Sequence, residues 1–164
     1  MNFDNRKKGF IQEAQKVREK TKKIITEANE DQLKKKMSEH NESWTVLEVA
    51  KHIYTSEDGM VKLMKQIKDH SDPNTLPGVP EDFDLDRYNK RQVQKLQELT
   101  KEGVLTKLSE SRANFVSFVE SLSEKDLPKK GRHASLRVLS IEEIIQLISS
   151  HETEHQNKLL NALN

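Results

Sequence analysis

Along most of the chain, apolar residues return every three to four positions, the period of a helix with one buried face. Phe10, Ala14, Val17, Thr21, Ile24 and Ala28 keep this spacing and predict a first helix from about Asn5 to Ala28. Residues 29–43 are polar, with Leu33 and Met37 placed for a short helical turn. A second helix starts sharply at Thr45-Val46-Leu47-Glu48. This is a capping box: the threonine hydroxyl accepts from the Glu48 N–H, and the glutamate reaches back to the cap. Trp44, just before it, is placed as a hydrophobic staple. The helix runs to about Asp69 and is apolar over a wide arc that includes Val46, Val49, Ile53, Met60, Met64 and Ile67, so it must touch more than one neighbour.

Residues 71–82 carry Pro73, Pro77, Pro80 and Gly78 and predict a long ordered loop rather than a linker. A helix follows from Leu85 to about Leu99, with Gly103 expected to mark a break. Val104, Leu108, Phe115, Val119 and Leu122 make the next amphipathic helix. Residues 123–139 read as irregular, with Pro128 and Gly131 and a short extended stretch at Leu136-Arg137-Val138-Leu139. The last helix begins at Ser140, with a second capping box to Glu143, and runs to the C-terminus. The pattern predicts an all-α bundle spanning residues 1–164 as one domain, with a short extra helix and a long proline-containing loop.

Composition narrows the function. Of 164 residues, 33% are hydrophobic and 34% charged, a lean balance that suits helices burying one stripe each. The 28 basic and 27 acidic residues nearly cancel and are interspersed, which argues against a nucleic-acid surface. Lys34-Lys35-Lys36 and Lys129-Lys130 read as solvated faces. There is no cysteine, hence no disulfide and no thiol nucleophile. No signal peptide and no long apolar run are evident, so the expectation is a cytoplasmic protein without a membrane partner.

The candidate chemistry lies in the last helix. Ile141, Ile144, Ile148, His151, His155, Leu159 and Ala162 fall on one stripe, placing two histidines where the pattern asks for core residues. Spaced i and i+4, their imidazoles can reach one divalent ion. Two buried imidazoles without such a role would need hydrogen-bond partners instead. For a third ligand the sequence offers His40, His52, His70, His133 and several carboxylates. His52 stands apart from these. It lies at the edge of the buried arc of the second helix and continues into Ser56, Gly59 and Leu63, a strip with room for something other than protein. Its geometry against the last helix depends on how the bundle is connected. His151-Glu152-Thr153-Glu154-His155 also matches His-Glu-x-x-His, which in a zincin would make Glu152 a general base. The nine residues after His155 leave little sequence for a downstream ligand, so that reading is set aside.

The stretch Trp44-Thr45-Val46-Leu47-Glu48-Val49-Ala50-Lys51-His52-Ile53 resembles a signature of the DinB-like superfamily, which includes YfiT-type thiol transferases. Phe83-Asp84-Leu85-Asp86-Arg87-Tyr88-Asn89 resembles its mid-chain segment, and Ser140-Ile141-Glu142-Glu143 with His151 through His155 resembles its final helix. The resemblance spans nearly the whole chain. It implies a four-helix bundle of DinB/YfiT type with an unusual connection between helices. It also implies a divalent metal held by His52, His151 and His155; three imidazoles suit zinc, nickel, iron and copper, and zinc or nickel is the expectation taken here.

An enzyme then becomes the leading expectation: transfer of an exogenous low-molecular-weight thiol to an electrophilic small-molecule substrate, with Tyr88 and Asn89 as candidate pocket residues. Hydrolysis by activated water is the alternative, with Glu152 or Glu154 assisting although both are expected to face solvent. A third expectation is a non-catalytic bundle that binds a metal or small ligand. The amphipathic first helix also permits a homodimer.

Overall fold

The computed structural model describes residues 2–37 and 44–164; His40 lies outside them. In chain order the elements are α1 (Phe3–Glu27), α2 (Glu30–Leu33), α3 (Val46–Asp69), α4 (Leu85–Lys95), α5 (Lys101–Ser121), β1 (Lys130–Arg132), β2 (Val138–Ser140) and α6 (Ile141–Leu163). The helix starts follow from capping chemistry. Asn2, Asn29, Thr45, Asp84, Thr100 and Ser140 each accept a backbone N–H from the first turn they cap, satisfying a donor that has no partner inside the helix. The reciprocal box at Thr45 and Glu48 is present.

Two boundaries differ from the sequence expectation. α4 ends at Lys95, short of Leu99. Gly103 is no break: it lies in the first turn of α5 and donates to the Thr100 hydroxyl. A Cβ at Gly103 would meet Leu99 Cδ1 at 2.6 Å, so the glycine lets the preceding chain fold over the helix start. The region read as irregular holds a 3-10 turn at Glu124–Asp126 and the antiparallel β1–β2 hairpin, with Gly131 opposite Leu139.

The four long helices form the bundle. α1 packs on α5 and α6, and α3 packs on the same two, so α1 and α3 lie diagonally across it. Arg6 pairs with Glu142 and Arg18 with Glu152, so α1 and α6 run parallel. Arg112 on α5 reaches Ala14 on α1, whereas Lys101 reaches Thr26 and Ala28, so that pair is antiparallel. In an up-down-up-down bundle, consecutive long helices are neighbours. Here the proline-containing loop and α4, which packs on α3, carry the chain back along the bundle before α5 begins. As a result the start of α3 faces the last turns of α6.

The core is divided in two. One apolar layer contains Met60, Met64, Phe115, Ile144 and Ile148. The other contains Ile25, Val46, Ile53, Leu108 and Leu159. Between them lie Arg18, Glu57, Arg112 and Glu152, one from each long helix, with side chains only 1–2% exposed. Arg18 gives Glu152 two hydrogen bonds, at 2.9 and 2.7 Å. Arg112 donates to Glu57 and Glu152, each at 2.7 Å, and Arg18 also pairs with Glu57. The Thr21 hydroxyl donates to Glu152 at 2.6 Å. Among the described residues, no buried side-chain nitrogen or oxygen lacks a partner. Two cations and two anions balance, which makes this burial tolerable.

Glu152 therefore does not face solvent as expected. The sequence pattern placed a carboxylate outside on polarity alone, but two arginines from other helices neutralise it in the core.

Candidate metal centre

The centre grows out of the α3–α6 crossing. His52 stands on the second turn of α3, whose start is fixed by the Thr45–Glu48 box. Trp44 packs against it, with ring centroids 4.9 Å apart. On α6 the fully buried line runs Ile141, Ile144, Ile145, Ile148, Glu152, Gln156 and Leu159. His151 and His155 thus flank the core stripe and are half-buried, rather than standing in its centre. The shift is one residue around the helix. Glu152 and Gln156 occupy the central positions because Arg18, Arg112, Thr21 and the Val17 carbonyl satisfy them.

That rotation turns both α6 imidazoles toward α3. His151 and His155 ring centroids lie 4.5 Å apart, and each lies near His52, at 5.3 and 4.9 Å. All three rings meet edge to face. Nε2 of His155 is 3.1 Å from Nε2 of His151, and one candidate ligand nitrogen from each of the three residues falls within 4.8 Å of the others. Two imidazole nitrogens on one tetrahedral ion, each at about 2.0–2.1 Å, would be roughly 3.3 Å apart, so the His151–His155 pair has the spacing of two ligands, and His52 stands close enough for a small ring movement to complete a set of three. Burial pushes the His52 pKa down to about 3, helped by nearby His151 and the Lys158 charge. Burial also lowers that of His151. Both are neutral at physiological pH, the form that donates a lone pair to a metal.

Of the other sequence candidates, His70 sits at the end of α3 and bonds to the Asp72 and Thr75 carbonyls, away from the centre. His133, on the turn after β1, lines a neighbouring cavity instead of joining the three. Glu152, committed to the arginines, is not placed as a zincin base.

Two cavities meet at His52, His151 and Asn89. The first, about 290 Å³, runs between Trp44, Asp86, Glu154, His155 and Lys158. The second, about 350 Å³, has mostly apolar walls from Met60, Leu63, Val79, Phe83 and Leu147, with Tyr88 and the hairpin residues His133 to Arg137. Asn89 lines both cavities and Tyr88 the second. The small-residue strip of Ser56 and Gly59 does open into space, as its composition suggested. The hairpin's first strand carries no pattern to announce it, and the arginine–glutamate core carries no local motif. Of the hairpin and this core, only the extended stretch read at residues 136–139 was visible in the sequence, and it overlaps β2.

The model of the DinB superfamily matches residues 13–159. Among solved structures, the chain is similar to YfiT from Bacillus subtilis, described as a probable metal-dependent hydrolase with an unusual four-helix bundle topology. Identity is 17% and TM-score 0.76, over 99% of this chain and 88% of that one. It is also similar to a mycothiol-dependent maleylpyruvate isomerase, at 12% identity and TM-score 0.73, where 93% of this chain spans 60% of the other. A third likeness is to the colibactin self-resistance protein ClbS, crystallised with double-stranded DNA. It shows 14% identity and TM-score 0.75, with 94% of both chains covered. At these identities the structures establish the shared fold. No curated protein matches the sequence. Among the described residues, no helix is long and apolar enough to cross a membrane.

Proposed function

This chain belongs to the DinB superfamily, and from that premise we propose that it is a divalent-metal-dependent enzyme acting on small molecules, and specifically a thiol S-transferase. The carrying observation is the convergence of His52, His151 and His155 where two cavities meet. Three imidazoles suit zinc, nickel, iron and copper, and zinc or nickel is the ion proposed here. Held there, such an ion would lower the pKa of a thiol or water brought against it.

The chain's own residues do the rest. Buried, neutral His52 keeps its lone pair available, and Trp44 fixes the ring from the other side. Ser56 Oγ lies 3.3 Å from Nδ1 of His52 and steadies its orientation. With no cysteine in the sequence, the sulfur must arrive on a second substrate. In the proposed reaction that thiol gives up its proton, and its sulfur forms a bond to an electrophilic carbon. The leaving group departs with the bonding pair and the proton escapes to solvent. The first cavity presents Asp86, Asn89 and the Lys158–Glu154 ion pair, 3.5 Å apart, to a charged thiol, and Glu154 is mostly exposed to solvent.

Hydrolysis is the second reading, favoured by the likeness to YfiT. One experiment separates the two. Zinc- or nickel-loaded protein is incubated with bacillithiol, mycothiol or glutathione and monochlorobimane, and separately with a panel of small esters and amides. A thioether product that disappears in His52→Ala supports transfer. Thiol-independent cleavage with no thioether supports hydrolysis.

A further inference from the structure

The second cavity is built differently from the first. α3 contributes the small Ser56 and Gly59 beside the bulkier Met60 and Leu63, and the Tyr88 hydroxyl stands 3.4 Å from where a Gly59 Cβ would lie. At about 350 Å³ it is at the small end of ligand cavities, which run to roughly 300–1,000 Å³. Its only strong cation is Arg137, on the exposed end of the β1–β2 turn.

That turn is held deliberately. The His133 N–H donates to the Arg137 carbonyl at 2.9 Å, and the Leu136 N–H donates to the His133 carbonyl at 2.8 Å. Leu136 adopts φ 72°, a left-handed conformation that costs a branched side chain about 1–2 kcal/mol. The Leu136 side chain is 45% exposed, so burial of that residue does not explain the conformation. The result is that His133 and Arg137 both stand on the cavity wall. Nδ1 of His133 accepts the Ser135 backbone N–H at 3.0 Å, so in the neutral ring the proton sits on Nε2, which is then the ring's donor. A guanidinium, whose Nε donates to Ser135 Oγ at 3.3 Å, and an imidazole N–H on one wall of an apolar chamber match a carboxylate on an apolar body.

We propose that this cavity is the seat of the electrophilic substrate, a small apolar carboxylate whose body lies beside Gly59 among Leu63, Phe83 and Leu147 and whose carboxylate is held by Arg137 and His133. The inference rests on the enzymatic reading above for the word substrate, but the binding site does not require the metal. It also divides the two substrates: the charged thiol on the Trp44 and Lys158 side, the apolar acid on the hairpin side.

The test uses trans-cinnamate and the uncharged trans-cinnamamide as probes, followed by amide NMR on the metal-free and the zinc-loaded full-length protein. Cinnamate should shift residues around Gly59, Leu63 and 133–137 in both forms, and should bind at least tenfold more tightly than the amide. Arg137→Gln should remove that preference, and His133→Ala should weaken cinnamate alone. Gly59→Leu fills the chamber and should abolish binding of both probes. Its helical position favours leucine over glycine, and zinc content read on the same sample reports whether the centre is intact. Absence of binding, binding untouched by Gly59→Leu, or equal affinity for acid and amide overturns the proposal. Cinnamate that binds only to zinc-loaded protein and ignores Arg137→Gln is ligating the ion, which also overturns it. None of these results depends on catalysis, so a failed thiol screen and a failed binding site remain distinguishable.

Discussion

Replacing Glu152 with alanine should destabilise the bundle severely, and the size can be worked from its contacts. The carboxylate takes two hydrogen bonds from Arg18, one from Arg112 and one from Thr21, all inside a core where its side chain is 2% exposed. Burial by itself would raise its pKa. The Arg18 hydrogen bond and the charges of Arg18 and Arg112 outweigh that and hold the carboxyl below its usual range. Removing the anion leaves two guanidiniums sharing Glu57 alone, with one positive charge uncompensated. Breaking a buried pair from one side costs about 3–5 kcal/mol. For a chain of this size that means a Tm lowered by roughly 6–20 °C. Urea unfolding followed by circular dichroism, with m checked for two-state behaviour, measures it. Arg18→Met combined with Glu152→Ala should cost less than the sum of the single changes, because the double variant restores charge balance. A Glu152→Ala loss under about 1 kcal/mol, or strict additivity, would refute the claim that the four charges act as one unit.

Three further outcomes follow from the same geometry. Leu136→Gly should stabilise the protein by about 0.5–1 kcal/mol, since it relieves a left-handed leucine at a small cost in chain entropy; thermal unfolding that shows a loss instead would remove the strain from the account. Gly78→Ala should destabilise by about 2 kcal/mol or more, because φ is 117° and an added Cβ would collide with the Arg132 backbone, breaking the register between the proline loop and β1. In metal-free protein, His52 is neutral when folded, with a pKa near 3 against 6.5 for the free side chain. The folded state thus binds fewer protons, and stability should fall as pH drops from about 6.5 toward 3, by up to an order of 5 kcal/mol; a His52→Phe chain whose pH profile is no flatter would contradict this.

The sequence carried the helices and half the centre. Thr45 and Ser140 announced their helix starts through hydroxyl caps with glutamate three residues on, a local signal that survives folding unchanged. The His151 and His155 pair was legible because i and i+4 share a face. Adding His52 required knowing that α1 and α3 are diagonal, which no local pattern encodes, and the family resemblance supplied it. Glu152 was misplaced for a related reason: its partners, Arg18 and Arg112, are far away in sequence and look like surface cations on their own helices. The hairpin was legible only on its second side, in the extended stretch at residues 136–139 that overlaps β2; β1 is three residues long and leaves too little alternation to read.

Whether His52, His151 and His155 hold one divalent ion is read from metal content per chain, measured by mass spectrometry on untagged native protein beside His52→Ala and His151→Ala/His155→Ala. The account predicts close to one equivalent of zinc or nickel in the native chain and its loss in both variants, each still folded by circular dichroism. A native chain that takes up no ion after reconstitution with either metal, or variants that retain the full equivalent, would contradict it.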